Sequence, residues 1–83
     1  MSKVSKARLD ELVKMLEIPE TIQREDFPPA NLRGRDNIFI DMSTASKAWR
    51  KVDAGVSERI FKVINANCTS EHEVDALLNA ITL

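Results

Sequence analysis

The sequence predicts an all-α fold: a small orthogonal bundle of four to five short helices, forming a single helical domain over residues 1–83. One observation is that apolar residues recur at i, i+3, i+4 and i+7 in several segments, which places them on one helical face. Another is the segment at 56–68, VSERIFKVINANC, whose apolar arc covers nearly half of the helical circumference. Because a surface helix needs a stripe only about 100° wide, we predict that this segment is the central helix of the bundle.

The length and composition fit one small globular domain. The 83 residues are 43% hydrophobic and 30% charged, which is ordinary globular composition rather than that of a disordered chain. A chain of this size buries only about 60–65% of the surface that its unfolded form exposes. The core is therefore thin, and we predict either a homodimer or a monomer stabilised by a partner. The formal net charge of −1 gives no overall basic signature for nucleic acid.

The N-terminal residues and the sparse cysteine and histidine content exclude several classes of protein. Cys68 and His72 are the only residues of their types, so neither an intramolecular disulfide nor a Cys/His zinc site can form within one chain. The apolar residues after the basic start are broken by Asp10, Glu11 and Lys14, which fits neither a signal peptide nor a membrane span. We expect an intracellular, cytoplasmic protein that does not bind membranes.

The first predicted helix runs from about Ser5 to Glu17, with Ser2 or Ser5 as its N-cap. Pro19 ends it by disfavouring α geometry at the preceding residue. Pro19 also suits the first position of a helix, so PETIQRE is the candidate for the fifth short helix. A long irregular connection over residues 18–42 follows, because two consecutive prolines remove backbone donors. The apolar face of the first helix contains Leu9, Leu12, Val13 and Leu16.

Residues 37–41, NIFID, are a short apolar run bounded by turn-forming residues. Their composition is typical of a strand, but no second strand is evident, and a lone strand leaves its backbone edge unpaired. We expect either an extended segment that crosses the helices or a strand that pairs with a second copy or a partner.

A third helix is predicted from about Thr44 to Asp53, with Ser43 or Asp41 as its N-cap. Gly55 suits the position just past its end.

Ser57 is the predicted N-cap of the central helix, and Val56 and Phe61 have the spacing of a hydrophobic staple. The last helix begins with a capping box of Ser70 and Glu73. Its stripe continues to the C-terminus through Val74, Leu77, Leu78 and Ile81.

No pattern in the sequence indicates an enzyme. His72 lies between two glutamates, with no nucleophile pattern beside it, and is typical of a solvated first-turn histidine. Cys68 is expected to be a buried structural thiol. There are two acidic clusters, Glu25 with Asp26 and Glu71 with Glu73 and Asp75. Both lack the loop and central glycine of an EF-hand. No phosphate-binding loop or zinc-protease motif is present. We expect no catalytic residue, no metal, no cofactor and no small-molecule substrate.

Residues 54–57, Ala-Gly-Val-Ser, followed by Phe61 and Ile64, resemble the turn and recognition half of the helix-turn-helix of bacterial repressors. In that family a glycine makes the turn, a serine caps the second helix, and apolar residues six and nine positions after the glycine pack it. Lys51 stands where the family has a small residue. The resemblance implies that the side chains facing DNA are Ser57, Glu58, Arg59 and Lys62.

Two functions follow from these observations. The first is a small non-enzymatic regulator or adaptor that binds another protein, or a second copy of itself, through an apolar surface comprising Phe27, Leu32, Ile38 and Phe39. The second is a DNA-binding transcriptional regulator. A local basic surface in the middle of the chain would serve it, unless these charges only cover solvated helix faces. The candidate nucleic-acid contacts are Lys47, Arg50, Lys51, Ser57, Arg59 and Lys62.

Overall fold

The computed structural model describes residues 4–83, which form four α-helices and no β-strand. The predicted all-α class is therefore confirmed. Two single-turn 3-10 helices lie in the connection between the first two α-helices, at Arg24–Asp26 and Arg35–Asn37. None of the described helices has both the length and the apolar character that crossing a membrane requires. The α-helices are α1 Lys6–Met15, α2 Ile38–Arg50, α3 Ala54–Asn67 and α4 Glu71–Ala80.

Helix α1 begins where its sequence predicts. The Ser5 side chain accepts a hydrogen bond from the Arg8 backbone N–H at 3.1 Å, which satisfies one of the free donors of the first turn. The helix ends slightly earlier than expected, because Glu17 takes a left-handed conformation with φ of 52°. Leu12 and Leu16 are fully buried, in agreement with the predicted apolar face.

The start of α2 corrects the sequence prediction. Residues 37–41 are neither an extended segment nor a strand, because the helix begins at Ile38 rather than at Thr44. The irregular connection accordingly ends before residue 38. Neither Asp41 nor Ser43 caps the helix, and the Asn37 side chain at the N-cap position makes no capping hydrogen bond.

The start of α3 also differs from the prediction. Its N-cap is Asp53, whose carboxylate accepts from the Val56 N–H at 3.0 Å. Gly55 therefore lies in the first turn of α3 and not past the end of α2. Ser57 is inside the helix and is not a cap, and the predicted staple does not form, since Val56 is buried while Phe61 is 37% exposed.

One hydrophobic cluster joins all four helices. Helix α3 packs most extensively on α2 and to a smaller extent on α1, whereas α4 packs on α1 and α2. Trp49 of α2 is fully buried, and its indole N–H donates to the Ile81 carbonyl at 2.8 Å. Phe61, the predicted partner of Val56 in the staple, lies at the edge of this core. The core contribution of α3 consists of Val56, Ile60, Val63 and Ile64.

The N-terminus of α4 is capped by Ser70, whose hydroxyl accepts from the Glu73 N–H at 3.2 Å, as predicted. The return bond of the predicted capping box is displaced by one residue, because the Glu73 carboxylate accepts from the Thr69 N–H at 3.0 Å.

Candidate functional site

Helix α2 presents an exposed row of side chains that we call the outer stripe. Phe39 is 76% exposed and Ile40 is 46% exposed, although both belong to the first turn of a helix that contributes heavily to the core. Their neighbours Ile38 and Met42 pack inward, so helical periodicity turns Phe39 and Ile40 outward. The outer stripe comprises Phe39, Ile40, Ser43, Thr44 and Lys47.

A buried carboxylate fixes the turn that carries Phe39. Asp41 is 1% exposed and accepts from the backbone N–H groups of Arg33 at 2.7 Å and Gly34 at 2.8 Å. Gly34 has φ of 105°, a conformation that glycine adopts without a steric penalty. Bonds from donors to an ionised acceptor are among the stronger hydrogen bonds. These hydrogen bonds connect the loop before α2 to the first turn of that helix. The backbone that carries Phe39 is therefore fixed, with the side chain pointing outward.

Two shallow hollows flank Phe39 and Ile40. One, of about 360 Å³, is lined by the outer stripe and ends at Lys47. The other, of about 260 Å³, is bordered by the acidic residues Asp36 and Glu71. The exposed apolar pair therefore lies between a basic side and an acidic side.

The charges of α2 and its neighbour are unbalanced. The only acidic residue within α2 is Asp41, and it is buried. Among the described residues, four exposed cations of α2, of the turn after it and of α3 form no ion pair. They are Lys47, Arg50, Lys51 and Lys62.

Ser57 is unavailable to DNA, contrary to the implication of the helix-turn-helix resemblance. It is 1% exposed, and its hydroxyl donates to the Ser46 carbonyl at 2.6 Å. The two serine hydroxyl oxygens are 2.9 Å apart. These short side chains allow α2 and α3 to approach closely, so the role of Ser57 is to join the two helices.

Arg59 also makes structural contacts within the protein. Its Nε donates to the Leu16 carbonyl at 2.6 Å and its Nη2 donates to the Glu17 carbonyl at 3.3 Å. These carbonyls lie at the C-terminal end of α1, where a positive charge is favourable. Of the two residues that the resemblance favours for DNA contact, Lys62 is exposed and Arg59 holds α1 against α3.

The four predicted protein-contact residues divide into two groups. Phe27, Leu32 and Ile38 are partly buried against the core, and the Phe27 ring lies 5.3 Å from the Trp49 ring in a tilted arrangement. Phe39 alone among them is strongly exposed. Sequence reasoning missed Ile40, whose exposure becomes evident once the helix is known to start at Ile38 rather than at Thr44.

Phe61 adds an exposed aromatic side chain to the surface of α3. Its side chain is 37% exposed, although it lies one helical turn after the buried Ser57. The wide apolar arc of α3 that suggested complete burial instead ends in this exposed ring.

An ion-pair network joins the N-terminal turns of α1 and α4 to the C-terminal end of α3. Arg8 Nε lies 3.0 Å from Glu73 Oε2 and Arg8 Nη2 donates to the Asn67 carbonyl at 2.7 Å; Arg8 also pairs with Glu11. The Arg8 guanidinium and the Thr69 N–H hold the pKa of Glu73 below its ordinary value. These contacts join α1, α3 and α4, and the charges of Arg8, Glu11 and Glu73 are paired with one another.

The remaining reactive side chains do not form a catalytic group. Burial raises the pKa of the Cys68 thiol above its ordinary value, which keeps the thiol protonated and weakly nucleophilic. The Arg35 Nη1 lies 3.0 Å from His72 Nδ1. Over residues 4–83, no three side chains of His, Cys, Asp or Glu are grouped so that they hold a metal ion.

A wider groove of about 600 Å³ runs between α1 and α4 beside Phe27. Lys6 and Asp10 on its rim pair with each other at 3.0 Å. Its floor is apolar, and the residues that form it are Leu9, Val13, Phe27, Ala76 and Ala80.

Comparison of the chain with protein-family models, with curated proteins and with solved structures finds no match. The function is accordingly inferred from the surface chemistry of the chain itself. The strongest feature of that surface is the outer stripe of α2, since it combines an exposed aromatic anchor, a fixed backbone and unpaired charge.

Proposed function

We propose that this chain is a small, non-enzymatic regulatory or adaptor protein that binds another protein through the outer stripe of α2. The observation that carries the proposal is the 76% exposure of Phe39 beside the 46% exposure of Ile40. Burying one such side chain contributes roughly 1.5–3 kcal/mol, and aromatic anchors dominate the energy of many interfaces. The partner would close over a surface that this chain leaves open to water.

The rigidity of the first turn of α2 supports this proposal. Binding costs less when the contact residues are already ordered. Asp41 fixes the turn through the Arg33 and Gly34 N–H groups, and the Thr44 hydroxyl donates to the Ile40 carbonyl at 2.9 Å. A partner would therefore meet Phe39 in one backbone arrangement.

We also propose a cytoplasmic location for the protein, and this proposal rests on the sequence alone.

Affinity capture with matched variants tests the proposal. The purified chain is immobilised as wild type, as Phe39→Ala and as Leu83→Ala, and each is exposed to extract from its source cells. Leu83 is the control because it is 66% exposed and lies outside the outer stripe. We expect one or more proteins to be retained by wild type and by Leu83→Ala and lost from Phe39→Ala. Equal retention by all three would reject the outer stripe as the binding surface.

DNA binding is a second candidate, favoured by the four exposed cations that form no ion pair with described residues. Against it, Ser57 is buried and Arg59 is bound to the end of α1. If the cations contact phosphates, log affinity for duplex DNA should fall against log salt with a slope of about −0.9 per contact. Removing Lys47, Arg50 and Lys62 together should then reduce both the affinity and the slope, whereas Lys14→Ala should change neither.

A further inference from the structure

We infer that the partner segment bound by the outer stripe is an acidic amphipathic helix; this inference rests on the proposed function. The exposed surface of α2 has its apolar pair in the first turn and its bases in the last turn, with no exposed acid between them. A helix lying along α2 would meet Phe39 and Ile40 with apolar residues and the bases with carboxylates.

The spacing along α2 defines where the partner's acids should lie. Lys47 follows Ile40 by seven residues and shares its face, about 10 Å further along the axis. Arg50 follows Phe39 by eleven residues and shares its face, about 16 Å further along. Each exposed apolar residue thus has a base on its own side of the helix. The matching helix carries carboxylates two to three turns from its apolar anchors.

The acidic side of Phe39 makes this arrangement directional. Asp36 and Glu71 border the hollow on that side, and Arg35, which contacts His72, offsets part of their charge. Carboxylates of a partner would therefore be less favourable there than beside Lys47. Lys47 borders the other hollow. Charge of opposite sign on the two sides therefore directs an acidic partner toward the C-terminal half of α2 and sets its register on the surface.

The position of the bases has an alternative explanation within the chain itself. Lys47 and Arg50 lie in the last turn of α2, where they interact favourably with the helix dipole. That effect accounts for where the bases are, but it leaves Phe39 and Ile40 uncovered. A phosphate backbone would engage the bases without using the apolar pair, so an acidic helix uses more of the surface than DNA does.

Three synthetic helical peptides of 16 residues test the charge preference. They share four leucines at i, i+3, i+4 and i+7, and their remaining surface positions carry glutamate, glutamine or lysine. Affinity is measured by fluorescence anisotropy with labelled peptide at low and at high NaCl. Exposed ion pairs are individually weak, so we expect the glutamate peptide to bind about tenfold more tightly than the glutamine peptide. The lysine peptide should bind most weakly, and the differences should shrink in 0.5 M NaCl because salt screens exposed charges.

Charge reversal on α2 provides the matched variants. The double substitution Lys47→Glu with Arg50→Glu should invert the order, so that the lysine peptide binds better than the glutamate peptide. Lys14→Glu with Arg24→Glu makes the same change in net charge at exposed positions away from the outer stripe, and should leave the order unchanged. Phe39→Ala should weaken all three peptides. Circular dichroism confirms that each variant is folded.

Several results would overturn the inference. These are no binding of any peptide, equal affinity for the three peptides, an order that Lys47→Glu with Arg50→Glu does not alter, or a 16-bp DNA duplex that binds more tightly than the glutamate peptide at 150 mM NaCl. If Phe39-dependent capture persists while the peptides show no preference, the acidic partner is wrong and the proposed function stands. If capture does not depend on Phe39, the proposed function itself fails.

Discussion

Asp41 is the residue on which the presentation of Phe39 depends. This carboxylate is 1% exposed and forms no ion pair with a described residue. It is stabilised by its hydrogen bonds and by its position in the first turn of α2. The two donors, the N–H groups of Arg33 and Gly34, belong to the loop that leads into α2. One side chain therefore connects the irregular part of the chain to the surface proposed to bind a partner.

We expect Asp41→Ala to lower the free energy of unfolding by about 1–3 kcal/mol, because it leaves two backbone donors without their acceptor. Asp36→Ala removes an exposed acid next to the same turn and should change stability by less than about 0.5 kcal/mol. Urea denaturation followed by tryptophan fluorescence measures both, since Trp49 is buried in the core. Similar unfolding midpoints for the two variants would show that the Asp41 contacts do not stabilise the fold.

Glu73 should make stability depend on pH. Its pKa is lower in the folded protein than in the unfolded chain, first because of the Arg8 guanidinium and then because of the Thr69 N–H. The stabilisation is therefore present above the unfolded value, about 4.3, and is lost as pH falls through the lower folded value. Wild type should exceed Glu73→Gln in stability at pH 7, and the difference should shrink progressively below about pH 4.3.

Urea midpoints between pH 7 and pH 2.5 test this prediction. Glu25→Gln is the control, because Glu25 is exposed and forms no ion pair with described residues. A gap between wild type and Glu73→Gln that stays constant over this range would contradict the proposed role of the ion pair.

At the scale of elements, the junction between α2 and α3 organises the bundle. Ser46 and Ser57 exchange hydrogen bonds through hydroxyl and carbonyl groups, and both side chains are small enough for the helix backbones to approach. A helix-turn-helix would use Ser57 as a cap facing DNA, whereas here Asp53 caps the helix and leaves Ser57 to the interior.

We expect Ser57→Leu to destabilise the protein by about 1–3 kcal/mol, because the larger side chain does not fit between closely packed helices. Ala66→Leu makes a comparable increase in size at an exposed position on the same helix and should have little effect. Thermal unfolding followed by circular dichroism compares them. A stable Ser57→Leu protein would mean that α2 and α3 can separate without cost.

At the scale of the whole molecule, the bundle combines a small hydrophobic core with an exposed surface that carries basic and apolar side chains. The core is formed mainly by leucine, isoleucine and valine side chains, and Trp49 is the bulkiest of those fully buried. Two copies meeting in parallel through their outer stripes would bring Lys47 and Arg50 of both chains together, and like charges oppose that arrangement. An antiparallel pairing would instead place these bases near Asp36 and Glu71 of the second copy. The proposed function predicts the monomer stabilised by a partner, and the oligomeric state tests it.

We expect the isolated chain to sediment as a monomer and to unfold with a free energy on the order of 5 kcal/mol. A bound glutamate peptide at 100 times its dissociation constant should add about 2.7 kcal/mol. Analytical ultracentrifugation and urea denaturation with and without peptide measure these quantities. Dimerisation that Phe39→Ala abolishes would instead identify a second copy as the occupant of the outer stripe.

Local patterns in the sequence were sufficient where one signal was unopposed. The cap of α4, Ser70, was predicted correctly, and Ser5 is one of the two caps predicted for α1, because each precedes an apolar stripe of helical period. The start of α2 was not, because Ile38, Phe39 and Ile40 have the composition of a strand. The start of α3 was ambiguous, since both Asp53 and Ser57 are good caps, and only one could be used.

The sequence by itself determined the helical class, the main core residues and the absence of a recognised catalytic motif, because these follow from periodicity and residue chemistry. The tertiary structure decided which charged and apolar side chains remain available. Ser57 and Arg59 look like surface residues in the sequence, yet packing between α2 and α3 buries the first, and the end of α1 binds the second. Phe39 looks like part of an apolar segment, yet its helix turns it outward. The exposure of a side chain depends on residues that are distant in the sequence, and the local apolar pattern does not contain that information.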